Sequence, residues 1–170
     1  MPQTMSKVTL KGNPVTLLGT EPQIGSSAPD AVLTANDLSA VKLSSYKGKK
    51  VILSVVPSLD TPVCDLQAKR FNLEAGKLGD DVAILVVSVD LPFAQKRWCG
   101  AAGADKVKTL SDYKNNNFGK AYGVLIEGVQ ILARSVFVVD ANGVLRYKQI
   151  VPEVTTEPNY DEALKALKSL

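Results

Sequence analysis

Apolar positions along the chain recur with two periods, one suited to strands and one to helices. Near the start, VTL and PVTLL flank Lys11-Gly12-Asn13, a pattern that predicts an N-terminal β-hairpin over about residues 7–18. AVLTA and AVKL predict two short strands, and the unbroken apolar run VILSVV predicts a central strand covered on both faces. Across 62–78, Val63, Leu66, Phe71, Leu73, Ala75 and Leu78 punctuate charged residues. With Thr61 as N-cap and Pro62 at the first helical position, that stretch predicts a helix. DVAILVVSVD repeats the buried-strand pattern, and Pro92 opens a second helical stretch, FAQKRWCGAAGA. Strand, helix, strand in this order predicts parallel strands joined by a right-handed crossover. NNNFGKAYG predicts a short helix, ILARSVFVVD and VLRYKQIV predict strands around the Ala141-Asn142-Gly143 turn, and NYDEALKALKSL predicts a closing amphipathic helix. The expected class is mixed α/β, a single domain over residues 1–170 with no repeat or linker dividing it.

Composition narrows the function. With 45% hydrophobic and 22% charged residues the chain is expected to fold. Its net charge of +3 is spread along the sequence, with no basic block longer than Lys49-Lys50, so nucleic acid is not an expected partner. No apolar run of signal or membrane-spanning type is seen, which predicts a cytoplasmic protein without a membrane partner. In a reducing compartment the two cysteines are expected to be inert, redox-active or metal-binding rather than a permanent staple. Histidine is absent, which removes Ser-His-Asp and Cys-His catalysis, histidine metal sites and a histidine haem ligand. Two cysteines fall short of the four ligands a structural zinc takes, so a protein zinc site is not expected.

Cys64 falls at the third position of the first predicted helix, where backbone N–H groups lack intrahelical acceptors. Such a position favours a thiolate over the free thiol, whose pKa is about 8.5, and the thiolate is the nucleophile. The alternative is a small buried hydrophobe. The Thr61 hydroxyl is placed to cap the helix or to reach the sulfur, and Pro57 ends the preceding strand. Arg134 alternates with Leu132, Val136 and Val138 on one face of its predicted strand, and a charge on an apolar face requires partners.

Pro57, Thr61 and Cys64 match P-x-x-x-[ST]-x-x-C, placed after a central strand and at the head of a helix. In this the chain resembles the peroxiredoxin family. PSLDTPVC, DLPFAQKRWCG, the KGNPVTL hairpin, ARSVFVVD and TTEPNYDEALKAL narrow the resemblance to the bacterial thiol peroxidases, an atypical two-cysteine branch. The resemblance implies a thioredoxin-like fold, with a central mixed sheet flanked by helices and an N-terminal β-hairpin. It implies an enzyme that reduces hydrogen peroxide and alkyl hydroperoxides without a cofactor. Cys64 would be the peroxidatic cysteine and pass through a sulfenic acid, Thr61 would orient sulfur and peroxide, Pro57 would shield the site, and Arg134 would stabilise negative charge. Cys99 would be the resolving cysteine, closing an intramolecular disulfide that thioredoxin then reduces, and the chain would form a homodimer. Phe93 and Trp98 would help line an apolar substrate pocket. A disulfide needs Cα atoms about 4.4 to 6.8 Å apart, so partial unwinding near both cysteines is expected. Gly100 and Gly103 each weaken the second helix by about 1 kcal/mol relative to alanine.

Overall fold

A computed structural model of the chain describes residues 6–170; residues 1–5, part of the start that shows no signal-type run, lie outside it. Strands β1 (Val8–Leu10) and β2 (Asn13–Val15) form the expected hairpin, with Leu10 opposite Asn13. Its two loop residues, Lys11 and Gly12, have φ of 52° and 81°. Positive φ at both positions is the twist-matched two-residue hairpin turn, which glycine adopts without strain. The hairpin is shorter than its sequence pattern predicts. Thr16 interrupts it, and β3 (Leu17–Leu18) leaves to pair antiparallel with β9 (Leu125–Ile126), since its apolar side chains find their core there.

The main sheet has seven strands in the order β11-β10-β6-β7-β8-β4-β5. Its centre is β6 (Lys50–Val55) and β7 (Val82–Ser88), parallel as the strand-helix-strand pattern predicts, joined by β8 (Lys108–Ser111), a third parallel strand that the pattern did not predict. The connections are α1 (Pro62–Ala75) and α2 (Pro92–Ala102). Strands β10 (Ser135–Val139) and β11 (Leu145–Ile150) run antiparallel on one side, and β4 (Val32–Thr34) and β5 (Ala40–Lys42) on the other. A short α3 (Asn117–Ala121) and the closing α4 (Tyr160–Lys168) complete the chain.

Alternation along β6 sorts the core into two layers. Val51, Leu53 and Val55 face a cluster with Leu85, Val87, Phe137, Phe118 and Tyr122. Ile52 faces the other cluster, with Ile84, Val86, Val136 and Val138, beneath Ala68 and Phe71 of α1 and Ala163, Leu164 and Leu167 of α4. Cys64 belongs to this second layer, and Trp98 and Ala102 of α2 pack against it. The first helix ends at Ala75, with Gly76 as C-cap, short of the predicted residue 78. Its buried stripe is Cys64, Gln67, Ala68 and Phe71, spaced i, i+3, i+4, i+7 as a buried helix face requires. Leu66 and Leu73, counted as core in the sequence pattern, are 52% and 66% exposed.

Candidate active site

The carboxyl ends of adjacent parallel strands lie side by side, so the loops that follow β6 and β7 meet above the sheet. Asp90, after β7, holds the two together. Its carboxylate accepts from Ser58 Oγ, from the Leu59 N–H and from Ser88 Oγ, each at 2.7 Å. The loop from Pro57 to Thr61 is thereby fixed before α1 begins. Pro57 is buried against the end of β6, and Thr61 is exposed.

Thr61 takes the N-cap position with extended backbone, φ −130° and ψ 149°, and Pro62 opens the helix as predicted. The expected side-chain cap is not formed. Thr61 Oγ1 donates to the Ser58 carbonyl at 2.9 Å, which closes the loop on itself and turns the hydroxyl away from the helix amides. No side chain caps the first turn of α1. Cys64 stands at its third position with a side chain that is 0% exposed.

One turn on, Gln67 is also wholly buried. Its Nε2 donates to Ser54 Oγ on β6 at 2.9 Å, and its Oε1 accepts from Arg134 Nη1 at 3.0 Å. Arg134 is 2% exposed, and its Nε donates to the Val154 carbonyl at 2.7 Å. A buried guanidinium without a carboxylate partner is costly unless hydrogen bonds orient it; here an amide and a backbone carbonyl do so. Arg134 precedes β10, and Val136 and Val138 do share the Cys64 layer. Leu132 does not. It bridges to Leu125 and lies in the opposite layer, because regular strand alternation starts only at Ser135.

A second tie reaches the first turn of α1 from α2. Trp98 Nε1 donates to Asp65 Oδ1 at 2.8 Å, and Lys69 Nζ lies 2.8 Å from Asp65 Oδ2. Burial pushes the Asp65 carboxyl up, but the hydrogen bonds from Lys69 and Trp98 outweigh it and hold the group below its ordinary value. Beside this tie runs a cleft of about 450 Å³ lined by Ser58, Leu59, Ala94, Arg97, Trp98 and Ala101. Trp98 borders this cleft, but Asp60, Asp90 and Arg97 line it too, so it is more polar than the expected apolar pocket, and Phe93 is 65% exposed and not among its lining residues.

Both cysteines are free, and the structure does not bring Cys99 into the Cys64 cluster. Cys99 is partly exposed in the last turn of α2, with Sγ 3.5 Å from Thr109 Oγ1 of β8. Gly103 ends the helix at φ 63°, and the Ala104 N–H donates to the Cys99 carbonyl at 3.0 Å, the six-to-one bond of a glycine C-cap. Gly103 therefore fastens the end of α2 that its composition marked as weak. Among the described residues no cluster of three or more His, Cys, Asp or Glu could hold a metal ion, and no helix is long and apolar enough to cross a membrane.

Sequence reasoning singled out Pro57, Thr61, Cys64, Arg134 and Cys99 as candidates, and did not single out Gln67 or Asp90. Gln67 was readable as a polar residue three positions after Cys64 and so on the same face of α1. Asp90 was readable as the acidic residue at the carboxyl end of the strand parallel to β6.

The redoxin family model matches residues 23–164. The chain is 54% identical to the thiol peroxidase of Halalkalibacterium halodurans over 165 residues, covering 97% of this chain and 99% of that one. It is 52% identical to the thiol peroxidase of Bacillus subtilis over 166 residues, covering 98% and 99%. A peroxiredoxin-like protein from Aquifex aeolicus, known from its crystal structure, superimposes with a TM-score of 0.90 at 46% identity, covering 96% of each chain. With a helix-borne cysteine at the head of α1 and full-length relatives at this level of identity, the chain belongs to the redoxin family, as a peroxiredoxin-type enzyme of its thiol peroxidase branch.

Proposed function

We propose that the chain works as one domain that reduces hydrogen peroxide and alkyl hydroperoxides at Cys64. The observation that carries this reading is the buried Arg134, aimed by Gln67 from the same face of α1 as Cys64. The Cys64 thiolate attacks one peroxide oxygen, the O–O bond breaks, and the sulfur becomes a sulfenic acid. The leaving oxygen takes up a proton, equivalent to the one the thiol released on ionising, and departs as water or alcohol. Arg134 and the uncapped amides of the first turn of α1 favour negative charge at the sulfur and on the leaving oxygen. Because Cys64 is fully buried, the Pro57–Thr61 loop shields it and has to breathe to admit a peroxide. An alkyl group would lie in the cleft beside Leu59 and Trp98.

Cys99 resolves the sulfenic acid as an intramolecular disulfide, which thioredoxin reduces, in a cytoplasmic homodimer that needs no cofactor. Its seat beside Thr109, apart from the Cys64 cluster, requires α2 to open first. The test is one equivalent of peroxide followed by intact mass and peptide mapping. The expected product is a Cys64–Cys99 disulfide in the parent chain and a Cys64 sulfenic acid in Cys99→Ser, which over-oxidises to the sulfinic acid with further peroxide. An unmodified Cys64 in the parent chain would overturn the proposal.

A further inference from the structure

Cys99 Sγ and Thr109 Oγ1 are 3.5 Å apart, and Thr109 Oγ1 donates to Asn36 Oδ1 at 3.0 Å. A hydroxyl carries one proton. With that proton given to Asn36, Thr109 meets the sulfur as an acceptor, and the Cys99 S–H is the donor. The three residues come from α2, from β8 and from the turn between β4 and β5, so the thiol is held by parts of the fold that do not contribute to the Cys64 loop. Thr109 is 1% exposed, and with Cys99, Asn36 and Asp37 it lines an open pocket at the surface.

One helical turn before Cys99, Gln95 is 0% exposed and donates from Nε2 to Ser88 Oγ and to the Leu110 carbonyl, both at 3.0 Å. A backbone carbonyl only accepts, so the amide cannot be turned over, and Oε1 is left without a hydrogen-bond partner. This face of α2 therefore already carries one buried acceptor unsatisfied, and the thiol contact is a side-chain tie from its last turn to β8.

We propose that Thr109, set by Asn36, is a positioning residue: it latches the Cys99 thiol against β8 and so governs how fast that thiol is delivered to oxidised Cys64. The inference rests on the resolving role given to Cys99 above. In the step it controls, Cys99 leaves Thr109 and attacks the Cys64 sulfenic sulfur. An S–S bond forms as the S–O bond breaks, and the thiol proton leaves with the hydroxyl as water. Cys64 already holds the oxidising equivalents from the peroxide, so no further oxidant enters.

Thr109→Val keeps the shape and removes the hydroxyl, and Thr109→Ser restores it. In a Cys64→Ser background iodoacetamide reports Cys99 alone, without peroxide chemistry. Loss of one neutral hydrogen bond predicts labelling about three- to tenfold faster in Thr109→Val, with Thr109→Ser close to the parent rate. With Cys64 intact, Thr109→Val is expected to form the disulfide faster by a similar factor and to yield less sulfinic acid at high peroxide. Equal labelling rates in parent, Thr109→Val and Thr109→Ser would overturn the latch. The expected labelling series with no Cys64–Cys99 disulfide in the peroxide-treated parent would support the latch and overturn the resolving role.

Discussion

Helices α1 and α4 lie on the same face of the sheet and begin in opposite ways. At the start of α4, Asn159 Oδ1 accepts the Glu162 N–H at 3.0 Å, Asp161 and Glu162 occupy the first turn, and Lys165 and Lys168 the last. One first-turn amide is capped by a side chain, and the charges at both ends suit the helix dipole. At the start of α1 no side chain caps the first turn, the threonine in the N-cap position spends its proton on the Ser58 carbonyl, and the first-turn carboxylate, Asp65, is engaged by Trp98 and Lys69. The two starts separate what holds a helix from what a helix end can be used for. Where amides are satisfied the helix is only structure; where they are left open beside a cysteine, they are available to an anion.

The comparison breaks most visibly if α1 is given what α4 has. Thr61→Asp supplies a carboxylate cap, which is expected to stabilise the protein by about 1 kcal/mol. The same charge occupies the first-turn amides and opposes a thiolate, so peroxide turnover should fall by about a hundredfold or more. Thermal denaturation and kcat/KM measured together check it, and unchanged turnover would mean that the open amides are incidental. The converse change is smaller. Asn159→Ala should lower stability by about 1 kcal/mol and leave kcat/KM as it was; a matching loss of turnover would show that α4 is part of the chemistry.

The smallest effect concerns the segment leading into α4. Glu153 accepts from Thr155 Oγ1 and N–H, from the Gly12 N–H at the hairpin turn and from Thr9 Oγ1. These bonds, Thr155 first, hold its carboxyl down to about 2 from its ordinary 4.5. A depressed carboxyl contributes stability above its unfolded value and loses it as pH falls. Glu153→Gln should therefore melt slightly lower than the parent at pH 7, with the gap closing as the pH falls from 4.5 through 2. A gap that is constant over that range would assign the effect to something other than the charge. High salt should shrink it, since the group faces solvent.

Particular residues show why some of this was legible in the sequence. Two strands of the parallel centre were readable because VILSVV and DVAILVVSVD are short, apolar and rich in β-branched residues, as strands buried on both faces are; β8, short and opening on a lysine, was not. The start of α1 was readable from Thr61 and Pro62. Its buried stripe was not, because two of its four members, Cys64 and Gln67, are polar or nearly so, and a hydrophobic count prefers Leu66 and Leu73, which face out. The same substitution of hydrogen bonding for apolarity hid Asp90 and Gln95. Arg134 was legible as an anomaly, a charge on an apolar strand, but its partners come from Gln67 and Val154, which only the assembled fold brings near.

That assembly has an order in time. Cys64 and Gln67 emerge from the ribosome early, attached to β6, whereas Arg134 arrives only with β10, which pairs antiparallel along β6 from far down the chain. Pairings so distant in sequence form late, after loop closure has been overcome. A half-made or locally unfolded chain thus carries Cys64 and Gln67 without the Arg134 guanidinium that Gln67 holds in the finished fold. If Arg134 serves Cys64 as proposed, the buried sulfur acquires that support only in the last stages of folding, and a chain halted before β10 docks should consume peroxide more slowly than the completed one.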